Sequence, residues 1–174
     1  MRLEGKSVAL LVENDYQDQE VWYPLYRLRE EGARVEIVGT GTAREYKSKF
    51  GYPIGVNLDA KDAVSRAWDG VVIPGGWAPD RLRQHEAVLE LVRATFGRGK
   101  VVAAICHAGW VLASAGICKG KRVTSFVAIK DDLTNAGATW VDQEVVRDGN
   151  LITSRKPDDL PAFLRTIIAA LAET

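Results

Sequence analysis

The sequence has little of what metal, redox or polyelectrolyte chemistry requires. Its 174 residues include two cysteines, two histidines and one methionine. Cys106 and Cys118 lack a CxxC spacing, so neither a dithiol redox motif nor a disulfide framework is present. That usage fits a reducing, cytoplasmic setting. His85 and His107 do not share ligand spacing on one helix, and no metal or other cofactor is expected. Charge of either sign is not in excess: 23 Lys and Arg balance 23 Asp and Glu. Nucleic acid and membrane surfaces are therefore not expected partners. The apolar stretch from Val8 to Val12 is too short for a signal-peptide core or a membrane span. Gly39-Thr-Gly-Thr lacks the third glycine of a dinucleotide fingerprint. The chain also has no internal repeat, low-complexity tract or linker, and its length suits a single domain spanning residues 1–174.

What is present concentrates at one junction. The apolar run Lys100-Val-Val-Ala-Ala-Ile stops at Cys106, and His107-Ala-Gly-Trp begins a short helix. Val101, Val102 and Ile105 suit a buried strand. A cysteine between strand and helix occupies the place that serine takes in a nucleophile elbow. Ala104 and Ala108 keep side-chain bulk low on either side. Unpaired amides at a helix start favour thiolate over thiol, so a lowered thiol pKa is expected.

Around that junction the chain alternates strands and helices. Strands are expected at Ser7–Val12, Arg34–Val38, Gly70–Ile73, Val101–Ile105 and Arg122–Phe126. A helix over Glu20–Glu31 presents Val21, Leu25 and Leu28 on one face, with Pro24 in its first turns. Further helices are expected from about Asp62, over Pro79–Phe96 with a break near His85, over Lys130–Ala136 and over Pro157–Ala172. The 40–59 stretch is a loop or hairpin excursion, and Trp140–Ser154 a hairpin turning at Asp148-Gly149. The alternation predicts an α/β fold with a mostly parallel sheet covered on both faces. Such sheets bind ligands beyond the carboxyl ends of their strands. Three segments meet there: Asp15–Glu20, Pro74-Gly75-Gly76, and Cys106.

Each supplies candidate chemistry. Gly75 and Gly76 can expose successive N–H groups toward an oxyanion beside Cys106. His107 is the candidate general base for the thiol. Gln17 is a neutral amide able to donate to a thiolate, within a loop made acidic by Glu13, Asp15, Asp18 and Glu20. Cys118, before Lys119-Gly-Lys-Arg, reads as non-catalytic.

The chain resembles the PfpI intracellular protease family, within the DJ-one superfamily. The resemblance rests on Asn14-Asp-Tyr-Gln-Asp-Gln-Glu-Val-Trp-Tyr-Pro24, Tyr26-Arg-Leu-Arg-Glu-Glu-Gly32, Ile73-Pro-Gly-Gly-Trp-Ala-Pro79, Ala104-Ile-Cys-His107, Ile129-Lys-Asp-Asp132, Asn135-Ala-Gly137 and Asp148-Gly-Asn150. It implies a flavodoxin-like sandwich, nucleophilic Cys106, an oxyanion role for Gly75 and Gly76, and homodimers or hexamers. It pairs His107 with an acid from a neighbouring subunit, here Asp80 in place of a longer Glu. It also matches Gln17 to a glutamate whose protonated carboxyl bonds the cysteine. A glutamine there would donate but carry no proton, leaving Glu20 as the alternative proton carrier. On that basis the first expectation is a stress-protective cysteine hydrolase of peptidase type acting on peptides. The alternatives are a cofactor-free glyoxalase or deglycase acting on methylglyoxal or its adducts, and a non-enzymatic redox sensor or chaperone acting through Cys106 oxidation.

Overall fold

The computed structural model describes residues 1–174. Its spine is three apolar strands: β1 (Ser7–Leu11), β6 (Gly70–Ile73) and β7 (Val101–Ile105). Apart from half-buried Ser7 their residues are buried, as expected of parallel strands covered on both faces. Flanking them are β2 (Arg34–Gly39), a two-residue edge strand β5 (Leu58–Asp59), and the hairpin of β10 (Val145–Asp148) and β11 (Leu151–Ser154). The sheet order is β10-β11-β7-β6-β1-β2-β5, parallel throughout except for the β10–β11 pair. A separate hairpin, β3 (Glu45–Lys47) with β4 (Pro53–Gly55), rises from the 40–59 excursion.

Helix α1 (Asp18–Glu30) packs with α7 (Leu160–Glu173). A second group joins α2 (Ala60–Ala63), α3 (Ala78–Leu82), α4 (Glu86–Gly97) and α5 (Gly109–Ala115). The chain runs outward from β1 to β2 and then returns to place β6 on the other side of β1. Right-handed crossovers in opposite directions put helices on opposite faces, and the result is a flavodoxin-like sandwich.

Three elements differ from the sequence expectation. The Pro79–Phe96 helix is two helices, because His85 takes extended backbone and caps α4. Leu82 and Val88 are both buried. Six residues apart on one continuous helix they would point about 120° apart, so the break lets both reach the core. The helix expected from Asp62 is only the single turn of α2. The strand expected over Arg122–Phe126 ends at Val123, where β8 (Arg122–Val123) pairs with β9 (Thr139–Trp140). Beyond it the backbone is held by other partners: Thr124 N–H donates to Thr153 Oγ1 and Phe126 N–H to the Cys106 carbonyl. The Lys130–Ala136 helix is α6 (Lys130–Asn135). No helix is long and apolar enough to cross a membrane.

Candidate active site

Cys106 stands one residue beyond β7, and its φ of +62° lies in the left-handed region. A non-glycine residue there is strained, and such strain persists only where the surroundings enforce it. Ile105 is extended and Cys106–Ala108 forms a single 3₁₀ turn before α5, so the chain reverses sharply at the sulfur. This is the elbow geometry read from the sequence. The thiol is largely buried, and the nearby backbone N–H groups of Gly76 and His107 pull its pKa down.

Next to β7, strand β6 ends in Pro74-Gly75-Gly76. A Cβ on Gly75 would lie 2.5 Å from Glu20 Oε2 and 2.6 Å from Cys106 Cβ, so a glycine is required by close approach. Gly76 has φ +74°, and a Cβ there would meet the Asp15 carbonyl and the Gln17 nitrogen, each at 2.5 Å. The two loops are stitched together: Gln17 N–H donates to the Gly75 carbonyl and Trp77 N–H to the Asp15 carbonyl.

The group that this arrangement brings to the sulfur is Glu20, in the first turn of α1 and fully buried. Its Oε2 accepts from Gly75 N–H at 2.7 Å. Its other oxygen, Oε1, has no hydrogen-bond partner, and the Cys106 thiol neighbours the carboxyl. Burial pushes the Glu20 carboxyl up from 4.5 to about 7, against the opposing pull of Gly75 N–H. Burial also pushes the Cys106 thiol up, to about 12 beside the negative charge of Glu20. The lowered thiol pKa expected from the sequence is thus not found. The short turn supplies two N–H donors, but desolvation and the carboxylate outweigh them. The two groups titrate as a pair. With its proton in place Glu20 no longer repels the sulfur, and its O–H is the donor a thiolate needs.

Two sequence assignments are corrected by this geometry. Gln17 lines the cavity, but its amide oxygen caps α1 by accepting from Gln19 N–H, and it makes no hydrogen bond to the sulfur. The carboxyl against the thiol belongs to Glu20, three residues on and on the buried side of the helix. The Gly75 N–H is committed to Glu20, which leaves Gly76 and His107 as the backbone N–H groups that favour the thiolate.

His107 Nδ1 lies 3.2 Å from Cys106 Sγ. Burial lowers the imidazole pKa, with Lys49 adding to the effect, so the ring is neutral near pH 7. It is packed between Trp77, Trp110 and Phe126, with ring centroids 5.3, 5.2 and 5.0 Å away. Trp110 is itself fixed by donating from Nε1 to Asp132. Asp80 sits exposed on α3, and within one chain nothing joins it to His107. Cys118 is buried away from the site. Sequence reasoning did not single out Lys49 or Phe126, which close the cavity from the β3–β4 hairpin and from the segment after β8. The cavity is about 180 Å³, below the several hundred Å³ usual for drug-sized ligands. No group of three or more His, Cys, Asp or Glu side chains is placed to hold a metal ion.

Known proteins share this sequence and fold. The chain is 42% identical over 165 residues to Deglycase PfpI of Pyrococcus furiosus, covering 95% of this chain and 99% of that protein. It is 37% identical over 161 residues to YraA of Bacillus subtilis, named as a candidate cysteine protease, covering 92% and 95% of the two chains. Among solved structures, Drosophila melanogaster DJ-1beta superposes with a TM-score of 0.91 at 32% identity, over 97% of this chain and 91% of that one. A two-domain Anabaena variabilis protein with DJ-1/ThiJ/PfpI-like and ferritin-like domains gives 0.93 at 39% identity; this chain is covered to 95% and spans 48% of that longer one. The DJ-1/PfpI family model matches residues 6–170, nearly the whole sequence, and the chain belongs to the DJ-1/PfpI family.

Proposed function

We propose that this protein is a cofactor-free, cysteine-dependent glyoxalase or deglycase acting on methylglyoxal or its adducts, and so protects the cytoplasm against carbonyl stress. The observation that carries the reading is Glu20, a buried carboxyl with a pKa of about 7 placed against Cys106. A general acid–base group works best when its pKa lies near the operating pH. The argument against this chemistry rested on Gln17, and with Glu20 in the site that argument lapses. The small cavity suits a three-carbon substrate, and relatives at 40–43% identity carry the name deglycase.

For methylglyoxal the steps balance without an oxidant. Sγ adds to the aldehyde carbon, a C–S bond forms, and the carbonyl oxygen takes a proton to give a hemithioacetal. Glu20 as carboxylate removes the remaining hydrogen of that carbon as a proton, and the electron pair enters an enediol. Glu20 returns the proton to the neighbouring carbon, which leaves a lactoyl thioester. Water cleaves the thioester, releasing lactate and the thiol. The N–H groups of Gly76 and His107 hold charge on the sulfur, and neutral His107 can relay its proton.

Peptidase action is the second reading. It is favoured by the 3.2 Å contact of His107 with Sγ and by the name of YraA. It calls for Asp80 to reach His107 from a neighbouring subunit of a homodimer or hexamer. The two readings separate in parallel assays of lactate formation and peptide cleavage. Cys106→Ser should abolish turnover, and Glu20→Gln should lower lactate formation by about 10²-fold or more. Full lactate formation by Glu20→Gln, or peptide cleavage with no methylglyoxal turnover, would reverse the order of the readings.

A further inference from the structure

The cavity over Cys106 is lined by one cationic side chain that the mechanism does not use. Lys49 lines that cavity from the turn of the β3–β4 hairpin. Its backbone is pinned to the active-site loop, since Lys49 N–H donates to the Tyr16 carbonyl at 3.0 Å. The turn is braced on both sides. Ser48 Oγ accepts from the N–H groups of Phe50 and Tyr52, and the Tyr16 hydroxyl donates to the Tyr52 carbonyl at 2.7 Å. The Lys49 side chain takes no part in an ion pair, and its Nζ has only the Phe50 ring beside it, 5.2 Å from the centroid. Its field nevertheless reaches both Glu20 and His107.

While Glu20 holds its proton, the other groups facing the cavity leave that charge uncompensated. Glu20 is buried and holds a proton up to about pH 7, His107 is neutral, and Gln17 carries no charge. A dry carbonyl pocket for a neutral aldehyde has no need of a cation at its mouth. A pocket that receives an anion does.

We infer that Lys49 is a specificity-determining residue that binds a carboxylate on the substrate, placing the adjacent carbonyl over Cys106. The carboxylate is that of a small 2-oxo acid or of a single amino acid glycated on its α-nitrogen. Both present an anion a few bonds from the electrophilic carbon, and Lys49 and Cys106 line one cavity of about 180 Å³. The inference rests on Cys106 being the nucleophile proposed above, and on no particular turnover reaction.

Alkylation of Cys106 tests it in the intact protein. Iodoacetate and iodoacetamide differ by the carboxylate, and the ratio of their rates cancels any change in thiolate population. Lys49→Gln should lower the iodoacetate-to-iodoacetamide ratio by about fivefold, the effect of removing one water-screened unit charge about 4 Å from another. Lys49→Arg should retain the ratio. Glyoxylate should protect Cys106 if the ligand is a small oxo acid, and a methylglyoxal-glycated amino acid, but not its amide, if the ligand is a glycated amino acid. Either protection should weaken in Lys49→Gln. An unchanged ratio in Lys49→Gln, or protection by neither carboxylate, overturns the inference. Failure of Cys106 to alkylate with either reagent would instead overturn the nucleophile reading beneath it.

Discussion

Glu20 should be a residue that the fold would be more stable without. Its carboxyl is raised from 4.5 to about 7 because burial disfavours the charged form. A raised carboxyl makes its full contribution to stability at low pH, where it is neutral in both folded and unfolded chains. As pH climbs from 4.5 toward 7 the unfolded chain releases its proton while the folded one keeps it, and stability falls throughout that window. Above pH 7 the folded protein bears the charge, and the accumulated loss is about 3 kcal/mol. Glu20→Gln removes the titration. Glutamine retains an oxygen to accept from Gly75 N–H, and its NH₂ takes the place of the unpartnered Oε1. The variant should therefore match wild type near pH 4.5 and exceed it by about 3 kcal/mol at pH 8. For a domain of this size that is a rise of about 8 °C in melting temperature. Denaturant unfolding of both proteins between pH 4.5 and 8 measures it. A stability difference that stays flat with pH would mean that Glu20 is not held neutral by burial. Greater stability joined to lost turnover is the signature of a site maintained for chemistry.

Gly75→Ala should be among the most damaging small substitutions, because its methyl would sit 2.5 Å from Glu20 Oε2 and 2.6 Å from Cys106 Cβ. A loss of about 2 kcal/mol or more in unfolding free energy is expected, with turnover falling further than stability alone explains; a silent variant would refute the close approach. Sedimentation at micromolar concentration should give a dimer or larger assembly. A monomer would remove any role for Asp80 at His107, since one chain does not join them.

How much of this site could be read in advance depends on the range of the interactions that define it. The elbow is local: an apolar run, a cysteine and a helix start are contiguous, and the structure returns them with Cys106 at φ +62°. The parallel sheet is legible for the same reason, since β1, β6 and β7 need burial on both faces and their composition says so. Glu20 was harder to read because its meaning is set elsewhere. In sequence it is one acid among Glu13, Asp15, Asp18 and Glu20, and loop polarity accounts for all of them. The available signal was helical position. Glu20 shares the buried stripe of Val21, Leu25 and Leu28, where an acid is costly unless something receives it. What receives it is Gly75 N–H, 55 residues away along the chain, at the end of a strand adjacent to β1. Lys49 carried no signal at all. An exposed lysine in a polar turn has the same composition whether it faces solvent or a nucleophile. Only the backbone bond to Tyr16, which ties the hairpin over the thiol, separates the two cases. The side chains that make the elbow selective are thus those that tertiary contacts deliver to it, and they are also the ones whose substitution should alter selectivity while leaving the fold intact.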